Sequence, residues 1–242
     1  DPAGGVIRRM PGSKEPNGVL EELAAIPLCV RALTPKTAQA AIKFIDAGQN
    51  MAVSYGYTTV QEGRAMDEFL AGFADKKIFK LDVVSYVDYS RPEILETSWY
   101  SKDYVNHYRI AGMKLTLDGS PQGRTAWRTK PYLLPPPGEE KSYLGYPAIP
   151  KDKDVEAIYM MAFKNNWQIL THGNGDAAID QMIRCIKPAI AAYGNIDRRN
   201  TLIHGQYVRA DQLDSLKKLD IIASLFPLHT FYWGDWHKQL IG

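Results

Sequence analysis

The sequence is poor in cysteine, has no long apolar run and carries nearly balanced charge. Cys29 and Cys185 are the two cysteines among 242 residues. They are far apart and both lie in apolar stretches, so we expect buried thiols rather than a disulfide, a metal site or a nucleophile. Few cysteines favour a reducing compartment such as the cytoplasm. No apolar run approaches the roughly 20 residues that span a bilayer. The net charge of +2 gives no reason to expect a membrane-surface or nucleic-acid partner.

Several catalytic motifs are also absent. No Gly-x-Gly-x-x-Gly joins a strand to a helix, which disfavours a dinucleotide cofactor. No Gly-x-Ser-x-Gly occurs and neither cysteine adjoins a plausible base, which disfavours a hydrolase with a nucleophilic serine or cysteine. The histidines form no His-x-His pair; they are His107, His172, His204, His229 and His237.

What is present indicates a globular α/β protein. Hydrophobic residues make up 45% and charged residues 23% of the chain, which is usual for a folded domain. Short apolar strands alternate with helices and are centred near Val60, Val84, Leu115, Leu170, Ile203 and Ala223. This alternation predicts a parallel sheet with right-handed crossovers. Polar residues follow several different strands, which favours a barrel over a doubly wound sheet. We therefore expect an incomplete TIM-like (β/α)8 barrel with about six strand-helix units, forming one domain over residues 1–242.

Local patterns set further expectations. Val6–Arg9 followed by Asn17-Gly18 predicts a hairpin or loop insertion. Apolar spacing predicts helices over residues 34–55, 63–74, 91–97, 152–166, 176–193 and 210–219. The segment 119–150 is rich in glycine, proline and tyrosine. A loop of that length inside a compact domain is usually functional.

Three strand ends carry a nitrogen-bearing side chain with glycine close by. These side chains are Lys114, His172 and His204. Imidazole is a common ligand for zinc and similar ions, whereas a lysine could bind a metal through the carbamate that it forms with carbon dioxide. Hydrogen-bonded structural histidines and an ion-paired lysine would give the same pattern. The residues alone leave both interpretations open.

Five segments of the sequence resemble those of a known protein family: Tyr55–Val60, Lys114–Ser120, Thr171–Asp176, Ile203–Gln206 and Ser224–His229. In this order they resemble amidohydrolase family 3, a branch that includes N-substituted formamide deformylase and many predicted metal-dependent hydrolases. The resemblance covers nearly the whole chain. Residues 1–5 and 18–22 also resemble the family's insertion before the second barrel strand. We therefore expect residues 1–33 to form that insertion and residues 119–150 to form a long active-site loop.

The resemblance implies a metal-dependent hydrolase that acts on amide, formamide or cyclic amide C–N bonds. It implies Lys114 (as a carboxylated lysine), His172 and His204 as ligands of a divalent metal, most commonly zinc. The family also uses a His-x-His pair on its first strand and an aspartate on its eighth, and this sequence contains neither. We therefore expect a fragment that lacks the first and last barrel strands, holds at most one ion and is weakly active or inactive alone. The alternative is a non-catalytic barrel relative that binds a small ligand or a partner.

Four more residues are candidates for the site. His229 follows the last predicted strand and is expected to orient substrate or stabilise an oxyanion, although a loop hydrogen bond would also explain it. Asp118, Asp176 and Trp233 are expected to contact substrate. A tight turn, a helix cap and aromatic packing would also explain these three, respectively. The expected partner is a small-molecule amide, and open strand edges favour pairing with another copy or with the missing segments.

Overall fold

The computed structural model describes residues 1–2, 4–66 and 69–242. In chain order its elements are β1 (Gly5–Arg9), β2 (Pro16–Glu22), α1 (Ile26–Leu33), α2 (Ala38–Ser54), β3 (Thr59–Ala65), α3 (Phe69–Asp75), β4 (Asp82–Asp88), β5 (Tyr108–Thr116), α4 (Asp152–Lys164), β6 (Gln168–Gly173), α5 (Asp176–Tyr193), β7 (Thr201–His204), α6 (Ala210–Lys218), β8 (Ile222–Leu225) and α7 (Leu228–Ile241). A short 3-10 helix covers Pro92–Glu96.

Contacts divide the chain into two compact units. Unit 1 comprises Asp1–Cys29, Thr116–Asn166 and Thr171–Gly242. Unit 2 comprises Val30–Leu115 and Trp167–Leu170. Unit 1 therefore contains the β1–β2 hairpin, the long loop between β5 and α4, and the elements from α5 to α7. Unit 2 contains α2 to β4 and nearly all of β5.

The main sheet has the hydrogen-bonded strand order β3-β4-β5-β6-β7-β8. The pairs β3–β4, β4–β5 and β7–β8 are parallel. Successive strands of this sheet are separated by an α-helix, except β4 and β5, which are separated by the short 3-10 helix. This alternation is that of a TIM-like (β/α)8 barrel, and the described residues supply six of its eight strands. The predicted fold class is confirmed.

Buried apolar side chains fix the strands that carry the candidate residues. In β4, every residue after the first is buried, as expected for a parallel strand covered on both faces. In α5, the buried set includes Ile179, Met182, Ile183 and Ile186, which share one face because they are three or four positions apart. Polar residues at the strand ends therefore project from a well-packed framework.

Three local predictions are wrong in part, although the β1–β2 hairpin forms and a helix covers Phe69–Asp75. Gly63–Ala65 belongs to β3 and not to a helix. The rest of that predicted helix crosses residues 67–68, which lie outside the described residues. Residue 3, within the segment 1–5 that resembles the family's insertion, also lies outside them. Asn17-Gly18 lies within β2, and the hairpin turns earlier, where the Met10 amide donates to the Glu15 carbonyl over 2.8 Å. Cys29 is exposed, whereas Cys185 is buried as expected.

Two helices were not expected from the sequence. Helix α1 buries none of its residues, and helix α7 carries aromatic residues around most of its circumference. In the part of the chain that the structure describes, no helix combines the length and apolar character needed to cross a membrane.

Candidate active site

The two strand-end histidines of unit 1 lie next to each other. His172 is the penultimate residue of β6, and His204 is the last residue of β7. Their ring centres are 4.6 Å apart and their planes are inclined by 74°. Both side chains are partly buried. Two imidazoles at this separation can share one ligand or one ion.

His204 has an unusual backbone conformation. Its φ is +78°, and the following Gly205 has φ +54°. A side chain with a Cβ atom in this left-handed region is strained, at a cost of roughly 1–3 kcal/mol, and such residues cluster at functional sites. The amide of Gly205 donates to the carbonyl oxygen of Gly173 over 3.0 Å, which holds the turn against the end of β6.

Asp118 organises the loops around His172. Its carboxylate is almost fully buried and accepts three backbone N–H bonds. One comes from Asn174 (3.0 Å), one from Gly175 (2.7 Å) and one from Trp127 (3.0 Å). Backbone donors of this kind stabilise an ionised carboxylate. Asp118 therefore joins the β6–α5 turn to the long loop that follows β5.

The Nε2 atom of His172 faces oxygen atoms of the same loop. It lies 3.1 Å from the carbonyl oxygen of Gly119 and 3.3 Å from Asp118 Oδ1. The side-chain nitrogen of Asn174 donates to the same Gly119 carbonyl over 2.8 Å and lies 3.1 Å from His172 Nε2. These contacts fix the orientation of the imidazole, as groups around a metal-ligating histidine commonly do.

Lys114 lies in unit 2. It is buried in β5 and pairs in register with Asp88, the last residue of β4. Asp88 is also buried; it forms an ion pair with Arg64 (2.6 Å) and accepts bonds from the amide and hydroxyl of Ser90. A buried lysine on one strand therefore stands beside a buried, paired carboxylate on the next.

His229 belongs to a cluster of aromatic and histidine side chains on α7. Its Nδ1 lies 3.2 Å from Nε2 of His237, and the two rings are nearly parallel, with centres 5.4 Å apart. The hydroxyl of Tyr207 lies 3.4 Å from Nδ1 of His237, and Trp233 lies 4.9 Å from the ring centre of His229. Burial lowers the pKa of both histidines, and the neighbouring His229 lowers the pKa of His237 further. Burial raises the pKa of Tyr207 to about 12.

Asp176 is bound by other parts of unit 1. It is the first residue of α5, and its carboxylate accepts bonds from the amide (2.9 Å) and hydroxyl of Thr129. It also forms an ion pair with Arg209 (3.2 Å). The N-cap of α5 is Gly175, so Asp176 acts in the first helical turn, where a negative charge is favourable. Its expected contact with substrate stays a prediction.

The donor atoms present fit part of a metal centre. Two imidazoles are suitable ligands for a divalent ion, and a catalytic zinc site usually has three protein ligands. Among the residues that the structure describes, no group of three or more His, Cys, Asp or Glu is placed to hold a metal ion. His172 and His204 therefore supply an incomplete set, and a third ligand of another kind would be needed.

Sequence reasoning missed Asn174, Asp88 and His237. Asp88 ends a strand and could have been found by the same rule that found the histidines, had β4 been extended by one residue. Asn174 and His237 act through contacts with Gly119 and His229, which are distant in the sequence or on an unexpected helix. No local pattern distinguishes them.

Comparison with known protein families gives a match over nearly the whole chain. The sequence model of the amidohydrolase family matches residues 1–241. Protein LONG AFTER FAR-RED 3 of Arabidopsis thaliana is 26% identical over 264 aligned residues, which cover 100% of this chain and 43% of that protein. The chain thus spans less than half the length of this curated relative.

Two solved structures share the fold. The uncharacterized metal-dependent hydrolase from Pyrococcus horikoshii OT3 has a TM-score of 0.73 and 20% identity, covering 98% of this chain and 47% of its own. The one from Pyrococcus furiosus has a TM-score of 0.73 and 21% identity, covering 97% and 48%, respectively.

Proposed function

Because the chain belongs to the amidohydrolase family, we propose that it contributes part of the active site of a metal-dependent hydrolase. The proposed reaction is hydrolysis of an amide, formamide or cyclic amide C–N bond outside peptides in a small molecule. The contact between His172 and His204, 4.6 Å apart at the ends of β6 and β7, supports this proposal most directly. Zinc and a carboxylated Lys114 are proposed from the sequence motif alone.

The surroundings of His172 support a proposed role for each of its ring nitrogens. Two oxygen atoms, of Gly119 and Asp118, and one donor nitrogen, of Asn174, lie near Nε2, and we propose the tautomer that carries its proton on Nε2. Nδ1 is then the lone-pair nitrogen that could bind an ion. Asp118 acts as a positioning residue, because it holds both the imidazole and the turn after it. The chemistry that a bound divalent ion supplies is Lewis-acid activation of water and of the substrate carbonyl.

His229 is proposed to orient the substrate or to stabilise its developing oxyanion. Its Nδ1 is engaged by His237, so Nε2 is the atom left to meet a substrate oxygen. Trp233, packed on the same imidazole and about 38% exposed, offers an apolar surface for a substrate. The chain alone is expected to be weakly active or inactive, because its sequence contains no His-x-His pair.

The experiment that tests the proposal measures bound zinc. The purified chain is reconstituted with zinc and bicarbonate, dialysed and analysed for metal, beside a His172→Ala/His204→Ala double variant and a His107→Ala control. His107 is an exposed histidine of unit 2, beside Asp82. We expect about one ion per chain in the parent and in the control, and none in the double variant.

Equal zinc in all three proteins would contradict the ligand assignment. Absence of zinc from all three would favour a protein that binds a small molecule without a metal. A full-length protein that contains the chain would then be assayed on a formamide, a linear amide and a cyclic amide. Turnover that disappears with a chelator and returns with zinc would support the reaction class.

A further inference from the structure

A cavity of about 410 Å³ lies within unit 1, outside the histidine pair. It is bounded by the β1–β2 hairpin on one side and by the loop after β5 on the other. The residues that matter here are Arg8, Glu21, Glu22, Arg124, Thr125 and Pro136. The volume is in the range of small-molecule sites. We propose that this cavity binds the carboxylate of a small monoanionic ligand with an apolar body, and that Arg124 is the residue that binds it.

The two arginine side chains that line the cavity differ in whether they are paired with a carboxylate. Arg8 is fully engaged, because it forms ion pairs with Glu21 (2.7 Å) and with Glu139. Arg124 differs: within the described part of the chain it forms no ion pair, and its buried Nε has no hydrogen-bond partner. A buried, unsatisfied guanidinium nitrogen is costly. A carboxylate that binds the exposed edge of the guanidinium would offset that cost.

Arg124 is held in place rather than free to swing into solvent. Its guanidinium carbon lies 5.0 Å from the ring centre of Trp236, a cation–π distance. Its backbone has φ +58°, and its amide donates to the Pro121 carbonyl over 3.1 Å. The planar guanidinium is therefore preorganised, and a carboxylate that binds it causes little further loss of side-chain entropy.

The loop that carries Arg124 is internally bonded. Thr125 accepts the amide of Ser120 through its hydroxyl oxygen (2.8 Å) and donates that hydroxyl to Glu22. The amide of Thr125 donates to the Ser120 carbonyl over 3.0 Å. The cavity wall is thus built from both the loop and the hairpin, and it does not depend on one exposed side chain.

The carboxylates in the wall restrict the ligand class. Glu21 and Glu22 line the same cavity. Arg8 offsets the charge of Glu21, and the charge of Glu22 repels a dianion such as phosphate about twice as strongly as a monoanion. The carboxylate of a monocarboxylate ligand would pair with Arg124, and its apolar body would pack on Val19, Leu20 and Pro136. Benzoate has this chemistry and is the probe that we select, with benzamide as its neutral counterpart of equal shape.

The test is a titration of the full chain with benzoate. Binding is monitored by calorimetry and by the NMR signal of the Trp236 indole N–H. Arg124→Gln is expected to weaken benzoate binding at least about tenfold, since a charge-assisted bidentate contact is lost. Arg124→Lys is expected to retain part of the binding. The control is Arg128→Gln, because Arg128 lies in the same loop and stacks on Tyr132 and Tyr207 but does not line the cavity. The affinity of this variant for benzoate should change less than about twofold.

Three results would overturn the proposal. These are no benzoate binding to the parent chain at millimolar concentration, equal binding of benzamide, and binding of inorganic phosphate in preference to benzoate. If Arg124→Gln fails to fold, the shift of the Trp236 indole signal in the parent decides. A shift with benzoate that benzamide does not cause supports the site, and an unchanged signal contradicts it. None of these readouts requires hydrolase activity or zinc, so this site can fail while the proposed function stands.

Discussion

His172 and His204 meet edge to face, with ring centres 4.6 Å apart, at the ends of β6 and β7. The two residues reach this position differently. His172 sits in a regular strand and is oriented by Asp118 and Gly119. His204 is placed by its own strained backbone. The stability of the protein should therefore respond in different ways to substitutions at the two strand ends.

Relief of backbone strain at His204 should be measurable. With φ at +78°, glycine avoids the Cβ clash that alanine retains, so His204→Gly should be more stable than His204→Ala by about 1 kcal/mol. The matched pair is Ile203→Gly and Ile203→Ala, one residue earlier in β7, where glycine should be the less stable by about 1 kcal/mol. Urea unfolding of the four variants gives both differences. The same order at both positions would contradict a strained His204.

Removal of the Asp118 carboxylate should destabilise the protein. Asp118→Asn replaces one acceptor oxygen by a donor and leaves at least one of three buried backbone N–H groups without its partner. We expect a loss of about 2–4 kcal/mol in the free energy of unfolding of the metal-free protein. Asp152→Asn is the control, because its ion pair with Arg184 is half exposed and should contribute less than about 1 kcal/mol. Similar losses in both variants would argue against the organising role of Asp118.

The His229–His237 pair should make stability depend on pH. The pKa of each imidazole is lowered in the folded chain, whereas in the unfolded chain it is about 6.5. Between these values the unfolded state binds more protons, so stability is fully present above about pH 6.5 and falls as the pH is lowered below it. The free energy of unfolding, measured from pH 7.5 to pH 5, should decrease less in a His229→Asn/His237→Asn variant. An identical slope in parent and variant would refute this linkage.

The exposed apolar surface of β8 and α7 should promote self-association. All four residues of β8 are exposed, β8 is the last strand in the sheet order, and Phe231 on α7 is 79% exposed. Exposed strand edges and exposed apolar surfaces favour association with another protein chain. Light scattering should show concentration-dependent association that Phe231→Ser weakens, whereas Met10→Ser in the β1–β2 turn should not. A protein that stays monomeric at every concentration would contradict the predicted self-association.

The strands could be predicted from the sequence where burial and β-branching coincide. The centres predicted near Val84 and Ile203 both lie within observed strands, β4 and β7, because a buried parallel strand is rich in apolar residues. Helix α7 was missed because its apolar residues do not lie on one face. Helix α1 was missed because residues 1–33 were expected to form an insertion or loop, and the burial expected for Cys29 is wrong because the helix buries none of its residues.

The sequence predicted which histidines lie at the strand ends of the candidate site, but not which residues surround them. Strand-end position identifies His172 and His204, since the ends of parallel strands lie at one edge of a sheet. It does not identify the partners of these residues. Asp118 could be named from its place after β5, but its three backbone donors come from residues 127, 174 and 175, and that convergence exists only in the folded chain.

Gly119 contacts both His172 and Thr125, a residue that lines the cavity. Its carbonyl oxygen faces His172, and its amide donates to the Thr125 carbonyl over 3.4 Å. A Cβ atom at this position would come within 2.1 Å of the Thr125 hydroxyl and 2.4 Å of a Glu22 oxygen. A side chain larger than that of glycine therefore does not fit at position 119 unless Thr125 or Glu22 moves. Any substitution of Gly119 would accordingly disturb the cavity wall and the loop that faces His172 together.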